Sequence, residues 1–243
     1  MTGSSTDGGR TLIEAVRSAL ASAADPARAT SMQAYMKSAM PFYGIPAPVL
    51  RRLCRDVFAA HPLDSVDIWQ STVLALWREA AHREERYAAI ELTGARRYRA
   101  HQTLATLPMY EEMVVSGAWW DFVDAIAPHR IGAYLLRDYR EPITAVVLEW
   151  SRSADLWKRR AAIICQLGFK ERTDLELLYA SIEPNLDHRN FFIRKAIGWA
   201  LRAYAWTDPD EIGRYVREHD SRLSGLSRRE ALKNIGRLTH AKA

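Results

Sequence analysis

The sequence predicts an all-α protein whose helices pair in the HEAT manner and stack into a curved α-solenoid. Apolar residues recur at helical spacing from Arg10 almost to the end of the chain. No segment shows the period-two alternation with flanking hairpin turns that is typical of β-strands. Paired helical segments recur about every 35–45 residues, a length that suits HEAT-like repeats, although no strict sequence repeat is visible. A compact helix bundle is the structural alternative.

Prolines, glycines and capping residues divide the chain into helices. Pro48 suits the first turn of a helix, and the preceding loop carries two aromatic residues, Phe42 and Tyr43, that we expect to be exposed. Asp155, Asp174 and Asn190 precede apolar helical patterns and are predicted to begin helices. The predicted helical segments are 10–24, 31–40, 48–57, 65–81, 83–99, 104–115, the stretch around 119–124, 131–139, 142–150, 156–167, 175–182, 190–205, 209–218 and 227–238.

Length and composition are those of an ordinary globular protein. The 243 residues are 48% hydrophobic and 26% charged, and the net charge is +5, which permits nucleic-acid binding without establishing it. We expect residues 1–9, rich in Gly, Ser and Thr, to form a disordered tail, and residues 10–240 to form a single domain. Cys54 and Cys165 lack metal-ligand spacing and are predicted to be reduced, buried thiols of a cytosolic protein. No apolar run approaches the ~20 residues that span a bilayer, so we expect no membrane partner.

The stretch Gly117-Ala118-Trp119-Trp120-Asp121-Phe122-Val123-Asp124 carries the first candidate site. In a helix, Trp120 and Asp124 share one face, with Cβ atoms about 5–6 Å apart. An aromatic face beside a carboxylate suits a cationic or electron-poor ring. The alternative is that the tryptophans are core residues and that the aspartate caps or stabilises a helix start.

Arginine and lysine accompany tryptophan on two further helices. Arg160 lies on an otherwise apolar stripe with Trp157, and its guanidinium suits a phosphate, although a core carboxylate, Asp124 or Asp121, could pair with it instead. Lys195, Trp199 and Arg202 share a helical face that suits a nucleic-acid backbone. The alternative there is a core tryptophan flanked by cations that extend to solvent.

Near the C-terminus, Ser227 and Glu230 have the spacing of a capping box. Arg228 and Arg229 would then lie in the first helical turn and, with its free amides, form a phosphate site. A solvated helix end is the alternative. The sequence has no glycine-rich phosphate loop, nucleophile elbow or HExxH motif, and its histidines are scattered, so we expect neither a metal nor a cofactor.

Taken together, these segments resemble the DNA alkylation repair enzyme family, the AlkD-like DNA glycosylases, from about Tyr35 to Ile235. The residues that carry the resemblance are Tyr35-Met36-Lys37, Pro41-Phe42-Tyr43-Gly44-Ile45, Trp119 to Asp124, Trp157 with Arg160-Ala161-Ala162-Ile163, Gln166-Leu167 with Lys170, Phe191 to Trp199, and Leu226 to Ala231. The resemblance implies a HEAT-like solenoid that holds duplex DNA in a basic concave groove. It also implies excision of cationic N-alkylated purines such as 3-methyladenine and 7-methylguanine in base excision repair. We expect the protein to be cytoplasmic and nucleoid-associated, and an open concave face favours a monomer.

The resemblance also assigns residues. Asp124 is similar to the catalytic carboxylate of the family and Arg160 to its phosphate-side arginine, with Arg159 as the alternative. Trp120 and Trp199 resemble the aromatic walls beside the sugar and backbone of the lesion. The residues expected to contact double-stranded DNA are Tyr35, Lys37, Phe42, Tyr43, Trp119, Lys170, Lys195, Arg202, Arg228 and Arg229.

Two other functions stay open at this point. A non-catalytic HEAT-like scaffold for DNA or protein would use the same fold, because such folds host many functions. A scaffold, however, does not require Trp120, Asp124, Arg160 and Trp199 together. A phosphodiester hydrolase usually requires a carboxylate cluster that binds metal, and Asp121 and Asp124 are the only candidates for it.

Overall fold

In the computed structural model, which describes residues 5–233 and 235, all regular secondary structure of the described residues is helical. The all-α prediction is therefore confirmed, whereas the stacking of HEAT-like pairs into a curved solenoid stays a prediction. The chain divides into two compact units between Met109 and Tyr110, here called unit 1 and unit 2. The predicted single domain over residues 10–240 likewise stays a prediction. No helix among the described residues is both long and apolar enough to cross a membrane.

Unit 1 contains five α-helices ahead of the boundary. They are α1 (Ser5–Ser22), α2 (Pro26–Met36), α3 (Ala47–Ala60), α4 (Val66–Arg78) and α5 (Arg83–Gly94), followed by short 3₁₀ turns at Arg96–His101 and Leu104–Thr106. The apolar faces of α1, α3, α4 and α5 meet in a core that buries Trp69 and Trp77 completely or nearly so.

The beginning of α1 corrects the predicted tail. Residues 5–9 are helical, whereas residues 1–4 of that tail lie outside the described residues. The helix extends this far because Gly9 is buried against α4: a Cβ atom at this position would lie 2.4 Å from Oγ1 of Thr72. The close approach gives the first turns of α1 a packing surface that composition alone does not reveal.

A buried carboxylate organises the loop between α2 and α3. Glu84, in the first turn of α5, is fully buried. One carboxylate oxygen accepts the N–H groups of Gly44 at 2.8 Å and Ile45 at 3.1 Å, and the other accepts the N–H of Tyr43 at 2.9 Å. The loop backbone is thereby drawn inward, and Phe42, which we expected to be exposed, is only 5% exposed.

Unit 2 contains the remaining helices. They are α6 (Leu107–Gly117), whose first turn contains the boundary, α7 (Trp120–Ile126), α8 (Arg140–Trp150), α9 (Leu156–Ile164), α10 (Leu175–Ile182), α11 (Phe191–Ala205), α12 (Pro209–Glu218) and α13 (Gly225–Leu232). Asp155, Asp174 and Asn190 accept backbone N–H groups at the starts of α9, α10 and α11, which confirms the three predicted helix starts.

A π-helical segment, Ala127–Leu136, continues α7 without a break, although the sequence predicts a separate helix over 131–139. Pro128 has no N–H to donate to the carbonyl of Asp124, and the chain passes this point as a wider helix. Within the segment, Gly132 touches the end of α9, where a Cβ atom would lie 1.9 Å from the carbonyl oxygen of Cys165.

The start of α13 corrects the predicted capping box. The N-cap is Ser224, whose Oγ accepts the N–H of Ser227 at 3.0 Å. Ser227 lies inside the helix, and its hydroxyl donates to the carbonyl of Arg194 at 2.9 Å. The N–H of Arg228 already bonds the carbonyl of Ser224 at 3.0 Å, so this residue does not lie among the free amides of a helix start.

Candidate active site

Three helices of unit 2 supply the candidate site. Trp120 and Asp124 lie one turn apart on α7, Arg160 lies on α9, and Trp199 lies on α11. The helix α9 packs against both α7 and α11. Side chains from segments far apart in sequence can therefore meet within one unit.

Asp124 and Arg160 form a two-point ion pair. Nε of Arg160 donates to Oδ1 of Asp124 at 2.7 Å, and Nη2 donates to Oδ2 at 2.8 Å. The Arg160 side chain is 4% exposed and that of Asp124 is 16% exposed. Parallel N–H···O bonds of this kind fix the plane and direction of a carboxylate, and the residual exposure of Asp124 leaves a path to a solute.

A third contact ties this pair to α11. Nη1 of Arg160 donates to the carbonyl of Phe192 at 2.6 Å. The neighbouring Arg159 has other partners, because its Nη1 donates to Oδ1 of Asn185 at 2.9 Å and its remaining N–H groups reach backbone carbonyls. Of the two arginines, Arg160 is the one that contacts Asp124. It meets a core carboxylate, the alternative that the sequence left open.

Burial and pairing act on the pKa of Asp124 in opposite directions. Burial raises the pKa of the Asp124 carboxyl above its ordinary value, and the charge of Asp121 adds to the rise. The hydrogen bonds and charge of Arg160 oppose it. The carboxylate is thus held in a partly dehydrated environment by a single cationic partner, and its charge is only weakly screened.

A cluster of three aromatic side chains lies beside the Asp124–Arg160 pair. The ring of Phe192 lies 5.5 Å from that of Trp119 and 5.1 Å from that of Trp157, and the two tryptophan rings are 6.1 Å apart. Trp157 is buried and Trp119 half-buried. Phe192 belongs to a segment that carries the resemblance but is not among the predicted site residues, and only its contacts across helices reveal this position.

Trp199 lies between two cations that share one carboxylate. Lys195 and Arg202, one turn on either side of Trp199 on α11, both reach Glu230 of α13, at 2.6 Å each. Lys195 and Arg202 therefore lie on one face of α11, as predicted, whereas binding of a nucleic-acid backbone by this face stays a prediction. Glu230 was missed as a partner, because a contact between helices leaves no periodic signal in the sequence.

The other predicted DNA contacts of unit 2 are distributed over its surface. Lys170 is exposed and has a left-handed backbone with φ of 53°. Arg228 pairs with Asp220, and Arg229 is exposed on α13. These three residues are not brought to the Asp124–Arg160 pair by any contact among the described residues.

Four predicted contacts belong to unit 1. Tyr35, near the end of α2, is exposed, and Lys37 follows as a left-handed C-cap with φ of 49°. Tyr43 stacks on His82 with ring centroids 3.8 Å apart, and its hydroxyl donates to Glu85 at 3.2 Å. Phe42 is buried, so its ring is a core residue of unit 1 rather than a surface contact.

In the described part of the chain, titratable side chains do not cluster as metal ligands do. Among the described residues, no group of three or more His, Cys, Asp or Glu side chains is arranged to hold a metal ion. Cys54 and Cys165 are free and buried, as expected, and burial raises the pKa of both thiols to about 12.

Comparison with known proteins gives one family and a solved structure. The family model described as DNA alkylation repair enzyme matches residues 16–235. A solved structure, described as a predicted DNA alkylation repair enzyme from Enterococcus faecalis, is 30% identical, with a TM-score of 0.77. The similarity covers 86% of this chain and 94% of that chain. The comparison with curated proteins gives no match.

Proposed function

Because the chain belongs to the DNA alkylation repair enzyme family, we propose that it is a DNA glycosylase. The proposed reaction hydrolyses the N-glycosidic bond of cationic N-alkylated purines, such as 3-methyladenine and 7-methylguanine, in duplex DNA. The observation that carries this proposal is the Asp124–Arg160 pair, partly exposed and one helical turn after Trp120. Such an enzyme acts as a monomer, without a cofactor or metal, in the cytoplasm with the nucleoid.

The chemistry of the substrate explains why one carboxylate suffices. An N-alkylated purine already carries a positive charge, so that it leaves the sugar as a neutral base with the electrons of the broken bond. Glycosidases that act on neutral substrates use a second carboxyl group to protonate the leaving group. Here that group is unnecessary, and the remaining task is to stabilise the cationic sugar and to orient water towards its C1′ atom.

Asp124 suits that task by charge and by direction. Its carboxylate opposes the positive charge that develops on the sugar, and weak screening at a partly buried site strengthens this effect. Each oxygen receives one N–H from Arg160, which leaves capacity on both oxygens to accept a further bond from water. Arg160 is proposed as the group that positions Asp124.

Aromatic and basic side chains complete the proposed site. Trp120 and Trp199 would form walls beside the sugar and backbone of the lesion and add cation–π stabilisation, worth roughly 0.5–2 kcal/mol. Phosphate contacts fix the register of a protein on duplex DNA without reading its sequence. The basic residues proposed for that role are Lys37, Lys170, Lys195, Arg202, Arg228 and Arg229.

The ion pair also favours a second candidate function. A bidentate arginine on a carboxylate is a common structural contact, and Arg160 engages both oxygens of Asp124. The chain could therefore be a non-catalytic DNA-binding protein in which the pair only joins α7 to α9. The two candidates differ in whether the charge of Asp124 is required for base release.

The deciding experiment measures base release from duplex DNA that contains 7-methylguanine, with chelator present and enzyme in excess. Asp124→Asn keeps the shape and one acceptor for Arg160 but removes the charge. We expect its excision rate to fall on the order of 10²–10³-fold, with DNA affinity largely kept. Asp121→Asn, the same change on the same helix, is the matched control and should excise at nearly the wild-type rate.

The possible results distinguish the two candidate functions and test the catalytic role of Asp124. Release by wild type and Asp121→Asn, but not by Asp124→Asn, supports the glycosylase and its carboxylate together. Tight DNA binding without release by any of the three proteins favours the non-catalytic candidate. Release at the wild-type rate by Asp124→Asn excludes this carboxylate as the catalytic group.

A further inference from the structure

We propose that Glu230 occupies a phosphate-binding position on α11 in the DNA-free protein, and that a DNA phosphate displaces it on binding. The position is formed by Lys195 and Arg202, on either side of Trp199. This inference rests on the proposed function, since it requires that the chain binds duplex DNA. Glu230 would then be an anion that competes with the DNA phosphate and lowers the affinity of the protein for DNA.

The contacts of Glu230 carry the inference. Its Oε1 lies 2.6 Å from Nζ of Lys195 and its Oε2 lies 2.6 Å from Nη1 of Arg202. One carboxylate therefore spans two cations that stand about two helical turns apart on α11. A phosphodiester likewise offers two anionic oxygens on a single atom, and lysine and arginine bind phosphates through these same N–H groups.

The close packing of α13 on α11 fixes the origin of the Glu230 side chain. A Cβ atom at Gly198 would lie 2.5 Å from Cβ of Glu230 and 2.8 Å from the carbonyl oxygen of Ser227. The backbone of α13 cannot move closer to α11. We infer that the exchange proceeds by rotation of the glutamate side chain while the two packed helices keep their places.

Exposure and charge allow this exchange. The Lys195 side chain is 38% exposed and that of Arg202 is 23% exposed, so both can be reached from solvent. The hydrogen bond from Lys195 holds the pKa of Glu230 below its ordinary value; burial opposes this shift, and the charges of Lys195, Arg202 and Lys233 add to it. Glu230 is therefore ionised at neutral pH, and it cancels one positive charge where a phosphate would otherwise be attracted.

The consequence concerns how tightly the protein holds undamaged DNA. A phosphate that enters this position gains two cationic partners but must release Glu230 from both. The net gain is smaller than that of a free lysine–arginine pair. We infer that Glu230 lowers affinity for DNA in general, which lets the protein leave sites that carry no lesion.

The test is the salt dependence of binding to an undamaged duplex, measured by fluorescence anisotropy for wild type, Glu230→Gln and Glu218→Gln. Glu218 pairs with Arg214 within α12, so its substitution changes the net charge equally without freeing Lys195 or Arg202. We expect Glu230→Gln to bind several-fold more tightly than Glu218→Gln. The slope of log K against log salt, about 0.9 per phosphate contact, should be the same for the two variants, because the same phosphate enters the position in both complexes. A steeper slope for Glu230→Gln would mean that Glu230 keeps the phosphate out of the wild-type complex.

A double-substitution cycle assigns the effect to the cations. In an Arg202→Gln background, Glu230→Gln should give a smaller gain in affinity, because one of the two freed partners is missing. Should Glu230→Gln fail to fold, Glu230→Asp serves instead. Its chain is one methylene shorter and cannot reach both cations, and it should also bind DNA more tightly than wild type.

The outcomes separate this inference from the proposed function. Equal affinities of Glu230→Gln and Glu218→Gln, a steeper slope for Glu230→Gln, or weaker binding by folded Glu230→Gln would overturn the inference while the wild-type protein still binds DNA. Absence of duplex binding by folded wild-type protein would overturn both.

Discussion

Glu84 in unit 1 and Asp124 in unit 2 are both acidic side chains of helices, and both are largely withdrawn from solvent. Their partners differ in kind. Glu84 is fully buried and accepts three backbone N–H groups of the loop at 43–45. Asp124 keeps some exposure and accepts two N–H groups from the side chain of Arg160. The carboxylate of Glu84 has no exposed surface, whereas part of the Asp124 side chain is exposed to solvent.

This difference separates a structural carboxylate from a candidate chemical one. Backbone partners fix a loop and leave Glu84 inaccessible to a solute. A side-chain partner from another helix fixes the direction of Asp124 while part of the carboxylate still faces outward. Burial alone therefore does not identify a catalytic acid, and the geometry of the remaining access is the more useful criterion.

The largest expected effect follows removal of the side-chain partner. Arg160→Met leaves the charge of Asp124 partly buried without a cation, and we expect the free energy of unfolding to fall by roughly 3–5 kcal/mol. Urea denaturation measures this loss. The double variant Asp124→Asn with Arg160→Met removes the stranded charge and should recover part of it. A loss under about 1 kcal/mol in the single variant would mean that the pair is solvated.

A smaller loss of stability is expected in unit 1. Glu84→Gln leaves one acceptor oxygen for three N–H groups and turns an NH₂ group towards the loop, which costs roughly 1–3 kcal/mol. Excision per folded molecule should stay at the wild-type value, because Glu84 takes no part in the proposed chemistry. Glu149→Gln, exposed on α8, is the control and should change stability by less than about 0.5 kcal/mol. A selective loss of excision in folded Glu84→Gln would contradict the assignment of Glu84 as a purely structural carboxylate.

The smallest expected effect concerns pH. The ionised form of Asp124 is the active one, so excision should fall as pH drops through the pKa of this carboxyl. Because burial raises that pKa, the midpoint should lie above that of an ordinary aspartate. Arg160→Lys loses the two-point contact that lowers the pKa, and the midpoint should move further upward. Rate–pH profiles under enzyme excess measure both, and an unmoved midpoint in Arg160→Lys would count against Asp124 as the titrating group.

Local signals in the sequence predicted much of the fold. The caps at Asp155, Asp174 and Asn190 were predicted correctly, because a side chain that bonds N–H groups two or three residues away is a local interaction. The start of α13 was wrong by one turn. Ser224 and Ser227 are both plausible caps, and the choice depends on Arg194, whose carbonyl takes the hydroxyl of Ser227.

Contacts between residues that are distant in sequence limited how much of the site could be predicted. The resemblance, which the family comparison confirms, identified Trp120, Asp124 and Arg160 as candidate site residues. The sequence pattern by itself did not decide whether Arg160 binds a phosphate or a carboxylate of the core. Phe42 was expected at the surface because its neighbours are prolines and aromatics. Its position depends on Glu84, about forty residues further along the chain. Such contacts leave no periodic pattern that a single sequence can reveal.

Gly132 shows how a residue remote from the proposed chemistry can constrain the evolution of the site. Its Cα meets the carbonyl of Cys165 so closely that a Cβ atom would lie 1.9 Å from that oxygen. Asp124 lies about two turns before Gly132, and Arg160 lies a little over one turn before Cys165. A larger residue at 132 would drive the two helices apart and separate the pair. In a mutational screen, position 132 should therefore tolerate glycine alone, although it touches neither Asp124 nor Arg160.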